Sequence, residues 1–484
     1  MSDSPDLPSK LPPTFAAAIA AHRFGLGEAT LTPIGKDAQA WLEAQIGPAD
    51  APQGQGLLNS RQALELVAAE REKRRQAAAA AESSAASAVT GTNAEAVLAG
   101  HYREAVTADA RSRLATAAAT QRPFAERLFT FWANHFTVSL AKGSARGLVG
   151  AFEREAIRPH IAGSFERLLV ASTTHAAMLR YLDNWLSAGP NSRVVARLAR
   201  RAAMTDDTPR LSGLNENLAR EILELHTLGA ESSRGTAAPA AGPAYGQADV
   251  TAFARVLTGW RVAPQGDLEQ RFDAAWHEPG PKTLLGKTYA EGPQALHQVL
   301  HDLAMDPATA RFIAAKLARH FVADDPPAAL VLQLESAYLG SNGQLGEVYR
   351  ALIRSPLAWE ARATKLKTPQ EFMVSTLRLL GPEAAASIRP EAAGTLGQRM
   401  HAAPSPAGWS DRAEDWLGPD AVWKRVEWAT RVAERAGRHV DARALARSSL
   451  GPGLSEATSA QIERAADGPQ ALALLLMSPE FQRR

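Results

Sequence analysis

From Phe15 to Phe481 alanine and leucine recur at helical spacing, while the alternation of β-branched and aromatic residues that a half-buried strand needs is scarce. A chain patterned this way folds by packing helix on helix, so the fold class predicted is mainly α. Its 484 residues, 45% hydrophobic and 21% charged, can bury a large core. We expect a single large helical domain over 15–484 after a flexible, proline-rich lead at 1–14. Strand is expected in one place. Arg271 to Trp276 alternates, His277-Glu-Pro-Gly-Pro281 turns, and Lys282 to Gly286 returns, which together read as one small β-hairpin. Residues 76–93 read as helix fraying into a mobile loop, and 231–247, ESSRGTAAPAAGPAYGQ, as a second mobile loop on the surface. The stretch 381–418 is rich in Gly and Pro and reads as irregular.

The 53 basic and 51 acidic side chains leave a formal charge of +2, so no global field draws the chain to nucleic acid, and none is expected as a partner. With zero cysteines, disulfides and thiolate metal sites are excluded, and any metal must be held by His, Asp or Glu. No run reaches the ~18 apolar residues of a membrane span. The N-terminal MSDSPDLPSKLPPTF is acidic and proline-rich where an export signal has a basic start and an apolar core, so a cytoplasmic location is expected, with the periplasm left open.

The chemistry concentrates in a few segments. In Gly213 to Gly229, GLNENLAREILELHTLG, Leu214, Leu218, Ile222 and Leu225 form one apolar stripe, and Asn215, Glu216, Asn217, Arg220, Glu221, Glu224 and His226 are threaded between them. Glu216, Arg220 and Glu224 stand at i, i+4, i+8 as a charge ladder, with Asn215 expected as the N-cap. Glu221 falls at the margin of the stripe, where a carboxylate needs a partner from another segment. His226 lies ~140° round from it, so the two meet only if the last turn loosens. In the aromatic helix expected over Pro123 to Leu140, Leu128, Phe131, Trp132 and His135 share one face, with Asn134 beside them. Asp183 and Asn184 close another helix, and His277 and Lys282 flank the Pro/Gly turn. All of these are candidate site residues. His135, Glu221, His226 and His277 are also the candidate ligands for a divalent metal in a hydrolysis or oxidation, with Arg220 or Lys282 holding an anionic substrate group. A bland reading stands beside this one, since buried ion networks and single core histidines are commonly structural. The environment of His135 discriminates: ligand geometry with His277 or Glu221 marks an enzyme, and a lone ring donating to a carbonyl marks a scaffold.

The ordered set FGLG, FWANHF, MLRYLDN, NSR, GLNENLAREILELHTLG, QADVTAFARVLTGW, HEPGPKTLLG and SPEF resembles the bacterial family catalogued as domain of unknown function 1800. The likeness runs from about Ala16 to Phe481. It implies a predominantly helical fold, no established activity, and association with a second family related to sulfatases as a protein partner. The candidate residues nearly all fall inside the matching motifs, which favours a site over a bland polar face. The rival to an enzyme is a non-catalytic binding or assembly protein acting with that partner.

Overall fold

The computed structural model describes residues 13–82, 90–205, 213–229, 245–262, 270–385 and 389–484. Helices dominate them, and the strands form two antiparallel pairs of three residues each. The strand prediction is corrected in its pairing. Gln270–Phe272 turns back on Trp260–Val262, and Lys282–Leu284 pairs with Lys287–Tyr289, so there is no single hairpin across His277. The reason is the turn: Leu285 and Gly286 both have positive φ, 50° and 74°, the backbone that a two-residue hairpin loop requires.

Two apolar clusters make the core. One gathers residues from Ala17 to Trp359, and the other is built from Phe372 to Phe481 with Leu26, Leu114 and Ala117. The aromatic helix, Pro123–His135, is the spine of the first. Proline at its first position has no N–H to leave unsatisfied, and Phe124, Leu128, Phe131 and Trp132 are each 3% exposed or less. Burying each such side chain contributes roughly 1.5–3 kcal/mol. The one polar atom of Trp132 is satisfied, because its Nε1 donates to the Tyr349 hydroxyl at 2.6 Å, which donates on to Ile161 O. The helix ends at His135, five residues before the predicted end, and at Phe136 the backbone leaves helical space.

Other helical stretches are broken too. Phe165–Thr174 and Ala176–Tyr181 are separated at His175, whose ring caps the second helix, and Val149–Phe152 passes into a π-helical turn, Glu153–Ile157. Further π turns span Ala20–Phe24 and Ile222–His226. Such turns add a residue to a helix and push side chains off their regular positions. The predicted loop at 76–93 is helical to Glu82 and again from Thr90, and 83–89 lies outside the described residues. Most of the predicted loop at 231–247 also lies outside them. The irregular stretch 381–418 contains a kink at Gly381, one turn at Ala392–Thr395 and a short 3-10 turn at Ala413–Trp416.

Candidate functional site

In the polar helix the N-cap is Glu216, not Asn215. The Asn215 carboxamide instead accepts from Asn217 N at 2.9 Å, and Asn215 N donates to Ser187 Oγ. Glu216 pins the next helix, accepting from Thr251 Oγ1 at 2.7 Å and Gln247 Nε2 at 2.8 Å, while Arg220 bonds both Glu216 and Gln247 Oε1. The charge ladder is therefore a surface clasp between two helices. Glu221 has no hydrogen bond or ion pair among the described residues, which corrects the expectation of a partner from another segment. Half-buried, with Glu224 beside it, its carboxyl is pushed up to about 7, burial being the larger cause. Tyr181 is the neighbour from another helix whose titration it perturbs.

His135 and His226 are brought together. The His135 Nε2 donates to the His226 backbone carbonyl at 3.1 Å, and their ring centroids are 6.1 Å apart in a cage that includes Phe136, Phe165 and Phe312. Burial, with Lys316 nearby, holds both rings well below the ordinary histidine range, His226 at about 3. Both stay neutral, and this is the carbonyl-bound arrangement that marks a scaffold. His277 lies elsewhere. Its Nδ1 donates to Thr258 O at 2.7 Å and its Nε2 accepts from the Lys282 ammonium at 2.9 Å, so Lys282 is engaged inside the fold and also reaches Glu278 O. Asp183, at φ 59°, pairs with Lys142, and the Asn184 amide donates to Leu257 O and Trp260 O. His135, Glu221, His226 and His277 thus do not converge as a metal site, and among the described residues no three His, Asp or Glu side chains could hold an ion.

The site that geometry does assemble is one the sequence reading missed. A small pocket of about 60 Å³, lined largely by polar residues, lies where the two apolar clusters meet. Of the predicted residues it takes only Asn134. Asn134 clamps the far wall, donating from Nδ2 to Trp409 O at 2.9 Å and accepting from Trp409 N at 2.8 Å. Gly408 makes this approach possible at φ 84°, since a Cβ there would stand 2.5 Å from Asn134 O.

Two imidazoles held by carboxylates line this pocket. His320, on the helix Pro307–Phe321, directs Nδ1 at both oxygens of Asp411, 3.1 and 3.2 Å away. A carboxylate accepts, so Nδ1 carries the proton, and the neutral ring leaves a lone pair on Nε2, which is buried without a partner. Burial lowers the His320 pKa against the opposing pull of Asp411. His401 sits at φ 56°, a strained backbone for a non-glycine residue, and its Nε2 meets Glu153 Oε2 at 3.2 Å. Glu153 opens the π turn and also takes Arg113 Nη1 at 2.6 Å. Burial would raise its carboxyl, yet Arg113 and His401 hold it down to about 2. Behind the pocket Arg127 and Arg484 flank Glu371, which they keep ionised against the same burial.

The missed residues had a faint signal. His401, Trp409 and Asp411 cluster in the Gly/Pro-rich stretch 381–418, and loops on a rigid scaffold are where binding groups concentrate. Nothing local ties them to His320 or Glu153. Comparison with known sequences finds that the model of a family described as protein of unknown function (DUF1800) matches residues 19–483. No curated protein and no solved structure matches the chain.

Proposed function

Since the chain belongs to the DUF1800 family, whose description carries no activity, we propose from the site itself that it is an enzyme performing general acid–base hydrolysis in the pocket at the seam of its two cores. The observation that carries this is the His320–Asp411 pair, whose Nε2 is buried without a hydrogen-bond partner among the described residues. In this reading Nε2 accepts a proton from a water, Asp411 stabilises the imidazolium that forms, and the water oxygen attacks the substrate. The proton then passes from the ring to the departing oxygen, so the ring ends as it began. His401, held by Glu153, is the second group able to exchange a proton with the bound molecule.

The test is to incubate the purified protein with a small-molecule extract and follow composition by mass spectrometry. The wild type should deplete a compound with the gain of water, and His320→Gln, folded with a similar thermal midpoint, should not. An unaltered extract, or an equally active His320→Gln, would sink the reading. The rival reading, an assembly protein with a partner such as the sulfatase-related one, draws on the clasp of Glu216, Thr251, Gln247 and Arg220, where the polar helix spends its charges on its neighbours.

A further inference from the structure

We infer a second ligand site, separate from the His320 pocket: a groove on the helix Thr90–Ala119 that takes an anionic amphiphile, its apolar chain lying on the helix and its carboxylate or phosphate head held by Arg111. The groove measures about 900 Å³, inside the roughly 300–1,000 Å³ range of small-molecule sites. It shares no lining residue with the His320 pocket, so the inference does not rest on the hydrolytic reading. Its shape follows from the sequence. Near the end of Thr90–Ala119 the residues at the groove are Ala115, Ala118 and Ala119, which leave a low floor beside Leu114. The helix Pro369–Ala385 packs along this one and supplies Leu377, but it breaks at Gly381, whose φ of 79° suits glycine alone, and Pro382 lines the groove beyond the break. The third side is the stretch from Glu28 to Pro33. Arg378 ties the three together: it donates to both Glu28 carboxylate oxygens at 2.7 Å, to Gly27 O, and to the carbonyls of Ala117 and Thr120 at the end of the alanine-rich helix. The walls are therefore fixed before any ligand arrives.

Charge selects the ligand. Among the described residues Glu28 is the one acid lining the groove, and both of its oxygens are engaged by Arg378. Arg111 and Arg389 line it too, exposed and without a hydrogen bond or ion pair among the described residues. A cation thus finds no partner, and a compact polar anion would leave the alanine and leucine floor bare. An anion that carries an apolar chain uses both features, burying the chain and pairing the head. The head belongs at Arg111. There a second groove, about 710 Å³, continues along the same helix, and Gln53, Arg111 and Ala115 line both spaces. The formal charges of Arg103 and Glu104 cancel in that continuation, which leaves Arg111 as its surplus cation. The Gln53 carboxamide, which makes no hydrogen bond among the described residues, adds a donor beside it.

The test is calorimetric titration of the full-length protein at neutral pH with decanoate, decyl phosphate, decyltrimethylammonium, decanol and acetate, each below its micellar concentration. Saturable binding of decanoate, of decyl phosphate or of both is expected, the two arms telling a carboxylate head from a phosphate one. Decanol should bind more weakly, and the cation and acetate not at all. Arg111→Gln should weaken the anionic chain by about fivefold, the worth of one exposed ion pair, and leave decanol unchanged. Ala115→Trp fills the groove from an exposed position and should abolish binding of every chain; Ala119→Trp, also exposed, serves if the first variant fails to fold. The inference is overturned if neither anionic chain binds, if decyltrimethylammonium or decanol binds as tightly as they do, or if anionic binding survives Arg111→Gln and the tryptophan variant unchanged. The groove would then be left to a protein segment or a second copy of the chain. None of these variants touches the His320 pocket, so loss of binding here and loss of hydrolysis there are separate results.

Discussion

His320 and Asp411 meet at 3.1 Å although 91 residues separate them, one on a helix of the first core and the other on the irregular stretch that leads into the second. Their contact bridges the two halves of the structure and leaves one imidazole nitrogen buried without a hydrogen-bond partner among the described residues. Asp411→Asn replaces the charged acceptor of the His320 proton by a neutral one, and should cost about 1.5–3 kcal/mol in urea unfolding, the usual worth of a hydrogen bond to a charged group. A change within about 0.5 kcal/mol would show the contact to be solvated and energetically idle.

Acid stability should report on Glu153. Its folded pKa, about 2, is depressed below the unfolded value, so its contribution is present above about pH 4.3 and is lost as pH falls towards 2. Arg113→Met removes the larger attraction and should move the acid-unfolding midpoint upward. An unmoved midpoint would mean that His401 and Arg158 suffice.

Glu221 behaves oppositely. Its folded pKa is raised to about 7, so the folded chain holds a proton that the unfolded one releases, and stability falls as pH rises from about 4.3 to 7. Glu221→Gln should leave the midpoint at pH 4 unchanged and stabilise at pH 8 by about 1 kcal/mol, a figure discounted for solvent screening at this half-exposed site. Destabilisation at pH 8 would reveal a partner.

Lys367 is fully buried, its ammonium over the Phe481 ring at 4.3 Å and without a hydrogen-bond acceptor among the described residues, and burial followed by the charge of Arg127 lowers its pKa to about 7. The unfolded chain therefore binds the extra proton between about pH 7 and 10.4, and stability gains with pH across that window. Lys367→Met should abolish this gain and stabilise the protein at pH 6 by about 1 kcal/mol or more, since an apolar side chain replaces a buried charge. Equal slopes for both proteins in thermal melts from pH 7 to 10 would refute the assignment.

His135→Phe keeps the aromatic cage filled but strips the donor from His226 O, and should cost about 1–2 kcal/mol at pH 8. As pH falls below about 6.5 the cost should shrink, because the unfolded wild-type ring takes up a proton that the buried ring does not; a cost that stays constant down to pH 5 would mean that the folded ring titrates like the unfolded one.

The helical class, the aromatic spine at Phe124 to His135 and the family likeness were legible in the chain, because apolar periodicity and local motifs are properties of near neighbours. So was the clustering of polar groups on the helix around Glu216, although not their purpose: helical spacing says which side chains share a face, and only the neighbouring Thr251 and Gln247 turn that face into a clasp. Periodicity also could not foresee the π turn at Ile222–His226, since one added residue changes the face on which His226 lands and sets its carbonyl against His135. The pocket was beyond local reading altogether. Asn134 was singled out for its place beside His135, yet its role is to hold Trp409, 275 residues away. Glu153 meets His401 across 248 residues, and His320 meets Asp411 across 91. Hydrogen bonds and ion pairs act over a few ångströms of space, whatever the distance along the chain, so it was the docking of the second core against the first that made these separate residues a site.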